Sequence, residues 1–148
     1  MEFNGRGIFV YSDPGAAKAI LALASKLMVG GAEYKIISNR EYSFSEAFGV
    51  KVEIFEKDPA EIFDSFRPDF LFCGTSYTSN LELMFVKEAL KRNITSYSYI
   101  DHYVLFKERF ETDSAIIYPD KIFVIDERAA NLAVADGIPV NKIQIFGN

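Results

Sequence analysis

The feature that most narrows the fold of this chain is an alternation. Short, unbroken apolar runs are separated by segments whose apolar residues recur at helical spacing. Ile8-Phe9-Val10-Tyr11, Tyr34-Lys35-Ile36-Ile37-Ser38, Phe70-Leu71-Phe72-Cys73, Ile94 to Ile100, Lys121-Ile122-Phe123-Val124-Ile125 and Ile143-Gln144-Ile145-Phe146 are such runs. A strand that is apolar on both sides needs cover on both sides, which is the situation of a parallel sheet between helices. Val50 to Phe55 alternates instead and predicts a strand nearer an edge.

The intervening segments carry helix signals. Asp13 suits an N-cap and Pro14 the first helical position, because proline's missing N–H has no intrahelical partner there. Ala17, Ile20, Leu21, Ala24, Leu27 and Met28 then mark one buried face, and Gly30-Gly31 stops the helix. Residues 44–48 predict one helical turn. Asp58-Pro59-Ala60-Glu61 opens another helix, with Glu61 placed to complete a capping box, and it runs through Ile62, Phe63 and Phe66 to Arg67-Pro68. Further helices are predicted from about Asn80 to Arg92, over Tyr103 to Phe110, and from the Asp126 cap to Gly137. Strands alternating with helices at this spacing predict an α/β fold: a Rossmann-like, doubly wound parallel sheet of about six or seven strands with helices on both faces. With no internal repeat, low-complexity stretch or linker, residues 1–148 are expected to form one domain.

Composition excludes several functions. The 148 residues are 49% hydrophobic and 25% charged, enough apolar surface for a packed core and too much for disorder. The net charge of −5, with acids and bases interspersed, argues against nucleic acid, which needs a basic face. No apolar stretch is long enough to span a bilayer, and the first seven residues lack a basic region followed by an apolar core, so a cytoplasmic protein without an integral membrane segment is expected. The single cysteine, Cys73, has no internal disulfide partner and reads as a buried, inert thiol. One histidine and one cysteine without ligand spacing offer no metal site, and no cofactor is expected.

In an open parallel sheet, ligands bind beyond the carboxyl ends of the strands, where the strand order reverses. That rule selects Ser12 to Ala16, Gly74 to Asn80, Asp101 to Tyr103 and Asp126 to Arg128. The first loop opens a helix whose free N–H groups suit an anion, with Asp13 and Gly15 as candidates; it matches neither a dinucleotide nor a P-loop pattern, and capping alone also explains Asp13. Gly74 at a strand end permits close backbone approach, and the hydroxyls of Thr75 and Ser76 suit a sugar or phosphate oxygen; a plain hydroxyl-rich turn is the alternative. Ser79 and Glu82 have capping-box spacing, which suits Glu82 to a structural role, and its place at the border of the same loop also makes it a candidate ligand-binding residue. His102, the only histidine, can serve as a general base oriented by Asp101, or can simply be packed among its aromatic neighbours. Arg109 is within reach of the same mouth.

Several short motifs carry a resemblance. They are Ser12-Asp13-Pro14-Gly15-Ala16-Ala17 at the first helix, Arg67-Pro68-Asp69 before the central strand, and Gly74-Thr75-Ser76. Asp101-His102-Tyr103 through Glu108-Arg109-Phe110, Tyr118-Pro119-Asp120-Lys121, and Gly137-Ile138-Pro139 to Phe146-Gly147-Asn148 complete the set. Together they make the chain resemble the N-terminal half of the GT-B glycosyltransferases and the related nucleotide-sugar 2-epimerases of polysaccharide biosynthesis. The resemblance implies the acceptor side of an interdomain cleft, with a nucleotide sugar and a glycan acceptor as ligands. In that superfamily a second half carries most nucleotide contacts, and this sequence stops where it would begin: the partner half is a separate chain, or this is a fragment, or the domain has another job. A second half or a homo-oligomer is the expected partner, and turnover by this chain alone is not expected.

Two other readings stand beside it. One is a non-catalytic module that binds a nucleotide or sugar phosphate through the same loops. The other is a phospho-acceptor receiver domain built on Asp13, Asp58 and Lys107; it fails to find an acceptor Asp at the end of the central strand, where Gly74 stands.

Overall fold

The apolar runs become strands because their side chains are taken up on both faces. In the computed structural model, which describes residues 3, 5–29, 31–40, 42 and 48–146, strands and helices alternate along most of the chain. They are β1 (Gly7–Tyr11), α1 (Pro14–Val29), β2 (Tyr34–Ser38), β3 (Glu53–Ile54), α2 (Pro59–Phe66), β4 (Phe70–Cys73), α3 (Leu81–Lys91), β5 (Thr95–Ile100), β6 (Lys121–Val124), α4 (Glu127–Ala135) and β7 (Ile143–Ile145). The seven strands form one sheet in the order β3-β2-β1-β4-β5-β6-β7, and every pairing is parallel. This is the Rossmann-like α/β architecture expected from the sequence.

Alternate residues along each strand serve different cores. Phe9 and Tyr11 pack with Phe70, Phe72 and Phe123 against Ala16, Ala17, Ile20, Leu21 and Ala24 of α1. Ile8, Val10, Leu71 and Cys73 pack on the opposite face against Phe63 and Phe66 of α2 and Phe85, Val86 and Ala89 of α3. A third cluster joins Ile100, Ile122 and Val124 to Ala129 and Ala133 of α4. The chain first builds outward from β1 to β3, and α2 then returns it across the other face to β4. The order therefore reverses between β1 and β4, and the chain leaves their carboxyl ends toward opposite faces, α1 on one and α3 on the other.

Helix starts follow the local signals in part. Asp58 caps α2 by accepting from Ala60 N at 3.0 Å, and Asp126 caps α4 by accepting from Ala129 N at 2.8 Å. The return bond expected of Glu61 is not formed among the described residues; its own N–H goes to the Asp58 carbonyl. The predicted strand over Val50 to Phe55 shrinks to two residues, both exposed, because it has a neighbour on one side only. The predicted helix over Tyr103 to Phe110 is not one. Leu105 adopts φ 58, and only Lys107–Phe110 closes, as a 3-10 turn. Phe106 and Phe110 still enter the third core cluster, so the spacing reflects burial without helix. Of the predicted turn over residues 44–48, residues 44–47 lie outside the described ones, as does Gly30 of the expected helix stop.

Candidate functional site

The site grows from the two strands at the reversal point. Beyond β4, Gly74 N donates to Val10 O at 2.8 Å, so β1 and β4 stay paired one residue past the strand. A methyl group at Gly74 would stand 2.5 Å from the Ala16 Cβ. Glycine there lets the first turn of α1 press onto the strand end.

The loop after Gly74 is tied in three directions. Ser76 Oγ donates to Asp13 Oδ1 at 3.2 Å and accepts from the N–H groups of Thr78 and Ser79, each at 3.1 Å. Thr75 Oγ1 donates to the Tyr99 carbonyl at 3.2 Å and accepts from Arg109 Nη1 at 3.2 Å. Arg109 comes from the 3-10 turn and is 1% exposed, and its Nε is buried without a hydrogen-bond partner. Burial pulls its pKa down, while the charges of Asp101 and Asp13 oppose that fall. Its guanidinium carbon lies 5.6 Å from the centre of the Tyr77 ring. Asp13 occupies the cap position of α1, its carbonyl accepting from Ala17 N at 3.1 Å, and its carboxylate is spent on the neighbouring loop.

The chain leaves strand geometry after Ile100, and this lets consecutive residues meet. His102 Nε2 approaches Asp101 Oδ1 at 3.5 Å, with the imidazole half-exposed and the carboxylate mostly covered. The other oxygen of Asp101 lies against Gly15, where any Cβ would collide with it. The carboxylate thus rests on the first turn of α1, at the positive end of that helix. The structure brings Asp13, Gly15, Gly74, Thr75, Ser76, Asp101, His102 and Arg109 together at one strand-end mouth.

Glu82 requires a correction. The capping-box reading joins it to Ser79, but Ser79 Oγ instead accepts from Leu81 N at 3.2 Å. The Glu82 carboxylate turns under the end of β1, accepting from Ser12 N at 3.1 Å and from Ser12 Oγ at 2.7 and 2.9 Å. Burial pushes its pKa up to about 7, with help from Asp13, and the Ser12 bonds limit the rise. Tyr42 Oη donates to the Ser12 carbonyl at 2.5 Å, so Ser12 is held from two sides. No local pattern marks Ser12 as the partner of Glu82, since the contact spans 70 residues. Tyr77, exposed among hydroxyl residues, is the one missed member that carried a signal.

The roomiest of the described cavities, about 690 Å³, lies on the flank between α3 and residues 112–118. Among the described residues, no group of three or more His, Cys, Asp or Glu side chains is placed to hold a metal ion. Among them too, no helix is long and apolar enough to cross a membrane.

No family model and no curated protein matches the chain. Solved structures do. A UDP-N-acetylglucosamine 2-epimerase candidate from Listeria monocytogenes superposes with a TM-score of 0.69 at 12% identity, over 97% of this chain and 44% of its own. The enzyme of that name from Neisseria meningitidis, solved with UDP-GlcNAc bound, gives 0.63 at 13% identity over 97% and 46%. A third structure titled UDP-N-acetylglucosamine 2-epimerase gives 0.69 at 14% identity over 97% and 46%. The chain spans under half the length of each, and at these identities the likeness establishes the fold.

Proposed function

We propose that this chain is the acceptor-side half of a GT-B-type glycosyl-transfer enzyme of polysaccharide or cell-surface glycan biosynthesis, working with a second, nucleotide-sugar-binding half. The observation that carries the reading is the Asp101–His102 pair, with its half-exposed imidazole at the strand-end mouth beside the β1/β4 reversal. With Nε2 turned to Asp101, Nδ1 of His102 is free to take the proton of an acceptor hydroxyl. That oxygen forms the new bond to the anomeric carbon as the bond to the nucleotide diphosphate breaks. Asp101 orients the ring and steadies the imidazolium that results. Thr75 and Ser76, buried and tied to Arg109 and Asp13, hold the loop in place beside it. The fold shared with half of the UDP-N-acetylglucosamine 2-epimerases, one of them solved with UDP-GlcNAc, supports the nucleotide sugar as ligand.

The test has two parts. Heteronuclear NMR with UDP-, GDP- and CDP-sugars should leave residues 13–16, 74–80 and 101–103 of the chain alone unshifted and give saturable shifts on them once the second half is supplied. Shifts confined to other surfaces remove the reading. In an assembled enzyme with a supplied second half, His102→Ala should abolish transfer while leaving the fold intact, and unchanged transfer eliminates the base assignment.

A further inference from the structure

Tyr77 has no packing role to explain it. It sits at the tip of the loop between β4 and α3 and is 57% exposed, although loop tips in water favour small polar residues. The structure nonetheless fixes its position. One face of the ring is backed by the Arg109 guanidinium at 5.6 Å, and that guanidinium is sealed in by burial and by its bond to Thr75. Ser76 and Thr78, on either side of Tyr77 in the chain, are linked through the Ser76 hydroxyl. An aromatic ring held still and left open is a platform, because little freedom is lost when something stacks on it.

The groups around it decide what stacks. The first turn of α1 offers the usual place for a phosphate, but the Asp101 carboxylate already lies against it at Gly15. Asp13 adds a second carboxylate at the same turn, bonded to Ser76. A diphosphate placed here would face two carboxylates, and the guanidinium beneath the loop, Arg109, is buried. A neutral polyol meets the opposite situation. Its hydroxyls donate to carboxylates, and the C–H face of its ring carries the partial positive charge that an aromatic face attracts.

We propose that Tyr77, backed by Arg109, is the stacking platform of a subsite for a neutral pyranose ring whose hydroxyls donate to Asp13 and Asp101. This rests on the acceptor-side reading above and deepens it: the mouth recognises uncharged sugar, and the phosphates of a donor lie off it.

Methyl glycosides of glucose, galactose and N-acetylglucosamine, titrated into the chain against UDP, test the subsite. The expected result is saturable movement of the Tyr77 ring resonances with at least one glycoside, with saturation transfer from that ring to the sugar C–H protons. Tyr77→Ala should weaken this glycoside about tenfold, while Tyr77→Phe, which keeps the stacking face, should bind like the parent. Tyr77 is exposed, so amide dispersion should show both variants folded. If UDP moves Tyr77 and no glycoside does, or if Tyr77→Ala binds glycoside unchanged, the subsite is overturned. With the second half supplied, nucleotide-sugar shifts at residues 101–103 that spare Tyr77 overturn the subsite alone and leave the functional reading standing. Absence there of any strand-end response to nucleotide sugars or glycosides removes both.

Discussion

Replacing Glu82 with glutamine turns the buried carboxyl beneath β1 into a measurable stability difference. Glu82 is 3% exposed, and its pKa rises from 4.5 to about 7, chiefly because burial penalises the charged form. Between those two pH values the folded chain holds a proton that the unfolded chain has released. Stability must therefore fall as pH rises through that window, and the loss is complete above the folded pKa. The rise from 4.5 to about 7 corresponds to about 3 kcal/mol at about 1.4 kcal/mol per pH unit. The glutamine side chain of Glu82→Gln does not titrate, and its amide oxygen can still accept from Ser12. Urea unfolding, followed by circular dichroism at a series of pH values and extrapolated linearly to water, gives both stabilities. The variant should gain on the parent by about 3 kcal/mol from pH 4.5 to above pH 7. A parent-minus-variant difference that stays constant across that range refutes the buried, proton-holding carboxyl.

Three further outcomes follow from the same structure. Gly74→Ala should cost about 1–3 kcal/mol in unfolding free energy, because the added methyl meets the Ala16 Cβ, which cannot rotate away; an unchanged urea midpoint would contradict that close approach. Gly15→Ala meets only the carboxylate tip of Asp101, so its urea midpoint should stay near the parent's while transfer by an assembled enzyme falls with the displaced Asp101; full activity would separate Asp101 from the chemistry. Cys73 is fully buried and burial pushes its thiol pKa well up, so a thiol reagent should label it only after denaturant is added, and rapid labelling of the native chain would be the contrary result.

The fold was legible where burial acts on both faces of a strand. Phe70–Cys73 is buried at every position, and nothing but a central parallel strand uses four consecutive apolar residues in that way. Helix starts with a proline and a capping acid were legible too, since Asp58 and Asp126 need only their own next few residues. What failed is what depends on distant partners. The segment after β5 places Phe106 and Phe110 at helical spacing, yet the core that receives them tolerates a 3-10 turn and a left-handed Leu105. Ser79 and Glu82 satisfy a local pattern, but Ser12 outcompetes it because two donors meet the carboxylate in a buried place. The strand-end loops were located by the reversal rule alone. Which of their side chains touch was not legible, since Asp101 meets His102 only because the chain abandons strand geometry at that point.

The position of β1 bears on how the protein comes off the ribosome. It is central in the sheet, with β2 on one side and β4 on the other. At the base of the β1–β4 pair, Arg6 N donates to Asp69 across 63 residues of sequence. At typical synthesis rates of about 5–20 residues per second, that separation delays the second partner by about 3 to 13 s. During that interval one edge of an entirely apolar strand has no neighbour, which is the exposure that invites pairing with other chains. The sheet around β1 can close only when β4 arrives.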